Sequence, residues 1–188
     1  MSIADNIAVV RERIARACER AGRDPGGVTL VGAVKQVSRA AVLEAGRAGL
    51  RDIGDNRVQE ARARSAALGS AAAAFRWHLI GHLQTNKARE AATLFGIIHS
   101  IDSLRLAEAL DRRTARKLQV LLEVNVAGEA SKSGFAPGEV SEAVASVGRL
   151  DRLDLIGLMT VAPTVEDAEL VRPVFRQLRL LAETNGLR

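Results

Sequence analysis

The sequence predicts an α/β fold with a parallel sheet, a TIM-type (β/α)8 barrel preceded by an extra N-terminal helix. Apolar segments of strand length alternate with segments of helical character from residue 29 onwards. The connections are short, which implies right-handed crossovers and parallel strands. Polar side chains follow nearly every predicted strand, and no GxGxxG motif occurs. These features favour a barrel, whose site is built from many strand ends, over the alternative of a doubly wound sheet.

The extra helix is predicted to begin at Ser2 and to end at Gly22. Ser2 and Asp5 have the spacing of a capping box, and the turn-rich run 24–27 (DPGG) follows the helix. Cys18 lies on the apolar stripe of this helix, so we expect it in the core. Since Cys18 is the one cysteine of the sequence, an internal disulfide is excluded.

Six βα units follow the first helix. Proline suits the first turn of a helix and not its interior, so the last two helices are predicted to begin near Pro137 and Pro173, and Gly186 ends the final one. A barrel of this type has eight units and about 250 residues. We therefore expect residues 1–188 to form a single barrel domain without its last two βα units. The six strands are predicted at 29–34, 50–54, 76–80, 96–100, 118–125 and 153–159.

The composition favours a globular protein of the cytoplasm. The 188 residues are 47% hydrophobic and 26% charged, which is close to the average for folded domains. The start MSIADNIAVV lacks the pattern of a secretory signal, and no run approaches the ~20 apolar residues of a membrane span. Lys and Arg exceed Asp and Glu by 27 to 22. Because aromatic residues make up 3% and do not alternate with basic ones, no nucleic acid is expected as a partner. Because no run is long enough to span a membrane, no membrane is expected as a partner either.

Lys35 is the most informative single residue. In TLVGAVKQVS (29–38) it ends a run of apolar and small residues, where a buried strand should finish. A lysine amine is a nucleophile in its neutral form, which desolvation or nearby positive charge favours. At a barrel mouth it could form a Schiff base with an aldehyde cofactor such as pyridoxal 5′-phosphate (PLP) or with a carbonyl substrate. The alternative is a solvated lysine just past a strand, and position alone favours this alternative.

Other strand ends also carry polar groups. Asn56, in GDNRVQEA (54–61), lies between a strand end and a helix start, where it and backbone amides can bind a ring oxygen or an anion. His78 and His82 are four residues apart in WHLIGHLQTNK (77–87), which invites a metal interpretation. No glutamate follows His78 as in the HExxH motif, and the stretch is predicted to be a strand end, so we expect no metal.

Two later stretches are further candidates. SKSGF (131–135) is a loop of small residues with a basic group, able to bind an anion or to shape a lid. Met159 lies in GLMT (157–160), at the end of the sixth predicted strand. Its thioether can rest on a flat ring or fill the core.

The sequence words TLVGAVK, GDNRVQE, WHLIGHLQTNK, IIHSIDS, VNVAGEASKSGF and GLMTVAP occur in this order between Val28 and Phe175. In order and spacing they resemble the pyridoxal phosphate homeostasis proteins, also called the YggS or PROSC family. The resemblance is specific, because WHLIGHLQTNK and SKSGF are long words with no general structural reason to occur together.

The resemblance implies a single-domain barrel similar to the N-terminal domain of alanine racemase, with PLP as the cofactor on Lys35. It places Asn56 near the cofactor ring and Met159 at a strand end that lines the site. It implies no catalytic residue, because family members are regarded as carriers or buffers of PLP in vitamin B6 and amino-acid homeostasis, without established turnover. We expect a monomer.

Three features depart from the family pattern. Asp55 replaces the usual glutamate. On the two sides of Lys35, Val34 and Gln36 stand where the family usually has a small polar residue and a threonine. The serine- and methionine-rich loop after strand seven and the Arg-Ile-Gly loop after strand eight, which hold the phosphate in the family, are not in this sequence. The sequence thus encodes the Schiff-base half of the site and lacks most of the phosphate half.

A PLP-dependent amino-acid racemase or decarboxylase on the same barrel is the alternative function. The chain has no tyrosine, so it cannot supply the tyrosine base used in alanine-racemase chemistry. A two-base mechanism would need another acid or base near the ring, and the histidines are the candidates for it.

Overall fold

Helices and strands alternate along the chain in the computed structural model, which describes residues 2–129 and 133–187. Within these residues the six strands have the sheet order β1-β2-β3-β4-β5-β6. The strand order and the alternation agree with the predicted α/β class. The elements are α1 Ile3–Arg20, β1 Val31–Ala33, α2 Arg39–Arg47, β2 Asp52–Asp55, α3 Val58–Leu68, β3 Arg76–Leu79, α4 Ala88–Leu94, β4 Ile97–Ile101, α5 Leu104–Asp111, β5 Leu118–Glu123, α6 Val140–Val147, β6 Leu153–Met159 and α7 Arg172–Thr184.

The chain forms two compact units, Met1–His78 and Leu79–Arg188, whose border falls inside β3. In the first unit, β1 pairs with β2 in parallel, with Val31 opposite Asp52. In the second unit, β5 pairs in parallel with both β4 and β6. The assignment of residues 1–188 to one domain stays a prediction.

The start of α1 confirms the predicted capping box. The Ser2 hydroxyl accepts a hydrogen bond from the Asp5 amide at 3.1 Å, and the Asp5 carboxylate accepts one from the Ser2 amide at 2.8 Å. The helix ends at Arg20, just before Gly22, whose φ of +60° suits glycine. Cys18 is buried, as predicted for a core position.

The first strand is shorter than predicted, three residues against the expected 29–34. Its pairing with β2 nevertheless continues past the strand, because the Val34 amide donates to the Gly54 carbonyl at 3.0 Å. Gly32 in β1 lies so close to Leu50 that a Cβ atom there would stand 2.6 Å from Leu50 Cδ2. The small residue therefore allows Leu50 to cover the strand.

The core of the second unit lies on β4 and β5 and on the helices that pack against them. Buried and half-buried residues alternate along β5, as expected for a strand whose side chains point to opposite faces. The two proline-based helix starts are confirmed, with a short 3-10 turn at Pro137–Glu139 before α6 and with Pro173 in the first turn of α7. The fully buried core residues include Ile98, Ile101, Leu106, Leu110, Leu118, Val120, Leu122 and Val140.

None of the helices in the described part of the chain has both the length and the apolar character that a membrane span requires.

Candidate functional site

Lys35 lies in a tight turn directly after β1. The turn is closed by the Val37 amide, which donates to the Val34 carbonyl at 3.1 Å. Val34 is buried and is itself bonded to β2 through Gly54, so one end of the turn is fixed. Gln36 has a φ of +58° and is the only non-glycine residue at positive φ in the described part of the chain. Lys35 is exposed, so its amine is accessible from solvent.

Lys35 and Asn56 line one cleft of about 760 Å³ in the first unit. They meet because β1 and β2 are parallel neighbours, so the residues that follow the two strands emerge at the same edge. Three cationic side chains and one acidic side chain surround the cleft, and this charge balance favours an anionic ligand. The lining residues are Lys35, Gln36, Asn56, Arg57, Glu60, Ala63, Arg64 and Ala67.

The first turn of α3 lacks a side-chain cap. Arg57 is the N-cap of this helix, and its side chain makes no capping hydrogen bond; its guanidinium lies 3.7 Å from Glu60 instead. Uncapped amides in a first helical turn are donors for an anion or a ring oxygen. Asn56 directly precedes Arg57 and therefore lies beside these amides.

Arg64 is a central contact of the cleft that the sequence did not identify. Its Nε donates to Oδ2 of Asp55 at 3.1 Å, and its Nη1 donates to the Val37 carbonyl at 2.8 Å. Asp55 is fully buried, and burial raises the pKa of its carboxyl, while the hydrogen bond and the charge of Arg64 oppose that rise. The sequence offers arginines at 57, 62 and 64, and their spacing does not tell which one faces inwards.

Met159 lies in the second unit, at the end of β6, and is half-buried. Its carbonyl accepts a hydrogen bond from the Val124 amide at 2.8 Å, which continues the pairing of β5 with β6. Met159 is not among the residues that line the cleft around Lys35. Its role beside a cofactor ring stays a prediction.

The two histidines of WHLIGHLQTNK each face a carboxylate. His78 Nε2 lies 3.0 Å from Asp52 Oδ1, and His82 Nδ1 lies 2.9 Å from Asp102 Oδ2. His78 is buried, whereas the side chain of His82 is 56% exposed. Among residues 2–129 and 133–187, no group of three or more metal-binding side chains occurs.

His78 is expected to make the protein less stable as the pH falls. Burial lowers the pKa of His78 from its ordinary value of 6.5, although the hydrogen bond and charge of Asp52 act in the opposite direction. Between the lowered pKa and 6.5 the unfolded chain binds more protons than the folded one, so the free energy of unfolding rises with pH in that window. Urea denaturation at about pH 7.5 and about pH 5.5 measures the difference.

The variant His78→Gln should lose part of this pH dependence, because glutamine does not titrate but can still donate to Asp52. His82→Gln serves as the control, since His82 is largely exposed. An unchanged pH dependence in His78→Gln would contradict the assignment.

Gln36 is expected to strain the turn that carries Lys35. The left-handed conformation costs a non-glycine residue about 1–2 kcal/mol, and glycine avoids this cost but loses ~0.4–1 kcal/mol through greater freedom of the unfolded chain. Gln36→Gly should therefore raise the free energy of unfolding by about 0–1.6 kcal/mol, while the β-branched Gln36→Val should lower it by about 1 kcal/mol. Urea denaturation measures both, and equal stabilities would show that residue 36 is not held at positive φ.

The loop after β5 closes back onto the strand. The Phe135 amide donates to the Glu123 carbonyl at 2.8 Å, and the Asn125 amide donates to the Phe135 carbonyl at 3.0 Å. The Asn125 side chain also bonds the backbone of Glu129 in both directions. Of the predicted SKSGF loop, residues 131 and 132 lie outside the described residues.

Comparisons with known proteins identify relatives over almost the whole chain. The family described as "Alanine racemase, N-terminal domain" matches residues 3–186. A protein of Pseudomonas aeruginosa named pyridoxal phosphate homeostasis protein is 44% identical over 98% of this chain and 81% of its own length. Proteins with the same name are 39% identical in Aquifex aeolicus, over 97% and 81% of the two chains, and 41% identical in Escherichia coli, over 87% and 72%.

Solved structures share the fold. PipY of Synechococcus elongatus with PLP bound is 33% identical, with a TM-score of 0.82 over 98% of this chain and 82% of that chain. An unknown protein from Bifidobacterium adolescentis is 37% identical, with a TM-score of 0.89 over 97% and 78%. Alanine racemase from Corynebacterium glutamicum is 15% identical, with a TM-score of 0.71 over 99% and 51%, which shows a common fold alone. The predicted fold class is thereby confirmed.

Proposed function

Since the chain belongs to the family of pyridoxal phosphate homeostasis proteins, we propose that it binds PLP as a Schiff base on Lys35 and acts in PLP and amino-acid homeostasis without catalytic turnover. The relative PipY is known with PLP bound, which supports the choice of ligand. We propose further that the protein works in the cytoplasm as a monomer, with PLP as its partner and neither a nucleic acid nor a membrane.

The observation that carries this proposal is the placement of Lys35 and Asn56 in one cleft at the ends of β1 and β2. The amine of Lys35 makes no ion pair or hydrogen bond with any residue of 2–129 or 133–187, so its nitrogen is available for bonding. Asn56 and the uncapped amides of α3 offer donors to the ring oxygen or to a negative group. These residues fit PLP, which is planar and anionic.

Bound PLP would supply an aldehyde, and the Lys35 amine would hold it as a Schiff base, with loss of one water molecule. The cationic side chains that line the cleft, Arg57 and Arg64, attract the anionic cofactor. Met159 is proposed to contact the ring from the end of β6.

Reduction with borohydride tests the central claim. Purified protein incubated with PLP should show a visible absorbance band, and borohydride should fix the cofactor to the peptide that contains Lys35. Lys35→Met should lose both the band and the label. Lys87→Met is a matched control, because Lys87 is another lysine outside the lining of the cleft. A label on any other lysine, or the absence of an absorbance band in the wild type, would contradict the proposal.

The absence of turnover needs its own measurement. The sequence has no tyrosine, so the acid-base group of alanine-racemase chemistry has to come from elsewhere or be missing. We expect no loss of optical rotation in L-alanine at high protein concentration with PLP present. A loss that depends on Lys35 would favour the racemase alternative. Light scattering of the purified protein checks the proposed monomer.

A further inference from the structure

The guanidinium of Arg64 ties together two segments that carry the site residues. All three of its nitrogens are engaged, with Nε and Nη2 directed at Asp55 at 3.1 and 3.5 Å and Nη1 directed at the Val37 carbonyl at 2.8 Å. The side chain of Arg64 is 13% exposed and that of Asp55 is fully buried. In such a dry setting hydrogen bonds with charged partners are stronger and more directional than in water.

The two partners of Arg64 are direct neighbours of the site. Asp55 ends β2 and precedes Asn56 in the chain. Val37 is the last residue of the Lys35 turn and precedes Ser38, the N-cap of α2. The near end of the turn is already held, because the Val34 amide bonds Gly54. Arg64 supplies a tie at the far end.

We propose that Arg64 is a positioning residue for the proposed function, which holds the Lys35 turn at a fixed distance from Asn56. The rigid guanidinium of Arg64, on α3, is bonded both to the end of β2 and to the end of the turn. The amine of Lys35 and the amide of Asn56 are therefore presented together before any ligand arrives. Pre-organisation of this kind raises affinity, because the ordering of the turn does not have to occur on binding.

Only arginine combines the required features in one side chain. A planar guanidinium presents its donors in a fixed fork, whereas the ammonium of lysine is a point charge on a flexible stem. Lysine at position 64 could keep the charge beside Asp55, yet it cannot reproduce the bidentate fork together with the bond to Val37. The variants Arg64→Lys and Arg64→Met thus remove the tie in two steps.

Two measurements test the proposal. The first is hydrogen exchange of the Val37 amide in the protein without ligand, and the second is the apparent Kd for PLP from the absorbance titration. A hydrogen bond with a charged partner changes an equilibrium constant by about a factor of ten or more. Arg64→Met should therefore speed the exchange of the Val37 amide and raise the Kd for PLP by about tenfold or more. Arg64→Lys should lie between this variant and the wild type. Arg11→Met is the matched control, since Arg11 donates to a backbone carbonyl that does not line the cleft, that of Gly49 at 2.8 Å.

Each outcome decides the proposal. If Arg64→Lys and a folded Arg64→Met both exchange Val37 and bind PLP within twofold of the wild type, Arg64 is not a positioning residue. The same conclusion follows if exchange quickens while the Kd stays unchanged. If Arg64→Met does not fold, the test is made with Arg64→Lys alone, and the same twofold limits apply to the exchange of Val37 and to the Kd for PLP. Failure of the wild type to label at Lys35 overturns the proposed function instead, while the exchange of Val37 still reports whether Arg64 holds the turn.

Discussion

Replacement of Arg64 by methionine is expected to lower the free energy of unfolding by about 3–5 kcal/mol, the usual result of removing one partner from a buried ion pair. The cost is large because the Asp55 side chain has no access to solvent, so water cannot replace Arg64 as the partner of its charge. Urea denaturation near neutral pH measures the change, and Arg39→Met, which removes a largely exposed arginine from the same unit, should cost far less.

The pH dependence of this variant provides a second signature. Burial raises the pKa of Asp55 from its ordinary value of 3.8, and Arg64 holds it down. Without Arg64 the pKa of Asp55 rises further, so the folded chain binds a proton more tightly than the unfolded chain does. The contribution of Asp55 to the stability of Arg64→Met should therefore increase as the pH falls from neutral towards 3.8. Because His78 titrates in both proteins, this contribution is measured as a narrowing of the gap between Arg64→Met and the wild type.

The double variant Asp55→Asn/Arg64→Met separates the charge from the packing. If the loss in Arg64→Met comes from an uncompensated buried carboxylate, removal of that charge should restore part of the stability. A double variant as unstable as the sum of its two single variants would show that Asp55 and Arg64 act independently. That result would also contradict the geometry in which Arg64 forks around the carboxylate.

The sequence allowed good prediction of where strands lie, because apolar runs of strand length are visible without any tertiary information. The sixth strand was expected at 153–159 and occupies Leu153–Met159, whereas the first was expected at 29–34 and pairs regularly only at Val31–Ala33. An apolar run shows that a segment is buried, but the neighbouring strand determines where the ladder begins and ends. The ends of strands are therefore less predictable than their presence.

The candidate site was predictable to the extent that it follows from strand order. Lys35 and Asn56 follow consecutive strands, and parallel pairing of β1 with β2 brings them to one cleft. Arg64 was not predictable, because it lies on a helix with other arginines, and such a pattern usually indicates a solvated surface. Its partners, a buried carboxylate and a turn carbonyl, are defined only when α3 packs beside β2 and the turn.

Gly134→Ala is expected to disrupt the loop after β5, with a loss of about 2–4 kcal/mol in the free energy of unfolding or a local opening of equal cost. Gly134 has a φ of +115°, which a residue with a side chain rarely adopts. A Cβ atom there would lie 2.8 Å from the Glu123 carbonyl oxygen and 3.0 Å from the Asn125 nitrogen. Both obstacles are backbone atoms of the end of β5 and the residues after it, so neither can rotate away.

The clash should break the two hydrogen bonds that Phe135 makes with Glu123 and Asn125. Hydrogen exchange of the Phe135 and Asn125 amides, together with urea denaturation, distinguishes local opening from global loss. Two glycines nearby serve as controls. Gly128 has a φ of +68° with open space around it, so Gly128→Ala should show backbone strain alone, about 1 kcal/mol; Gly138 has neither constraint and should tolerate alanine. A ranking in which Gly134→Ala is no worse than Gly128→Ala would contradict the close approach of the loop to β5.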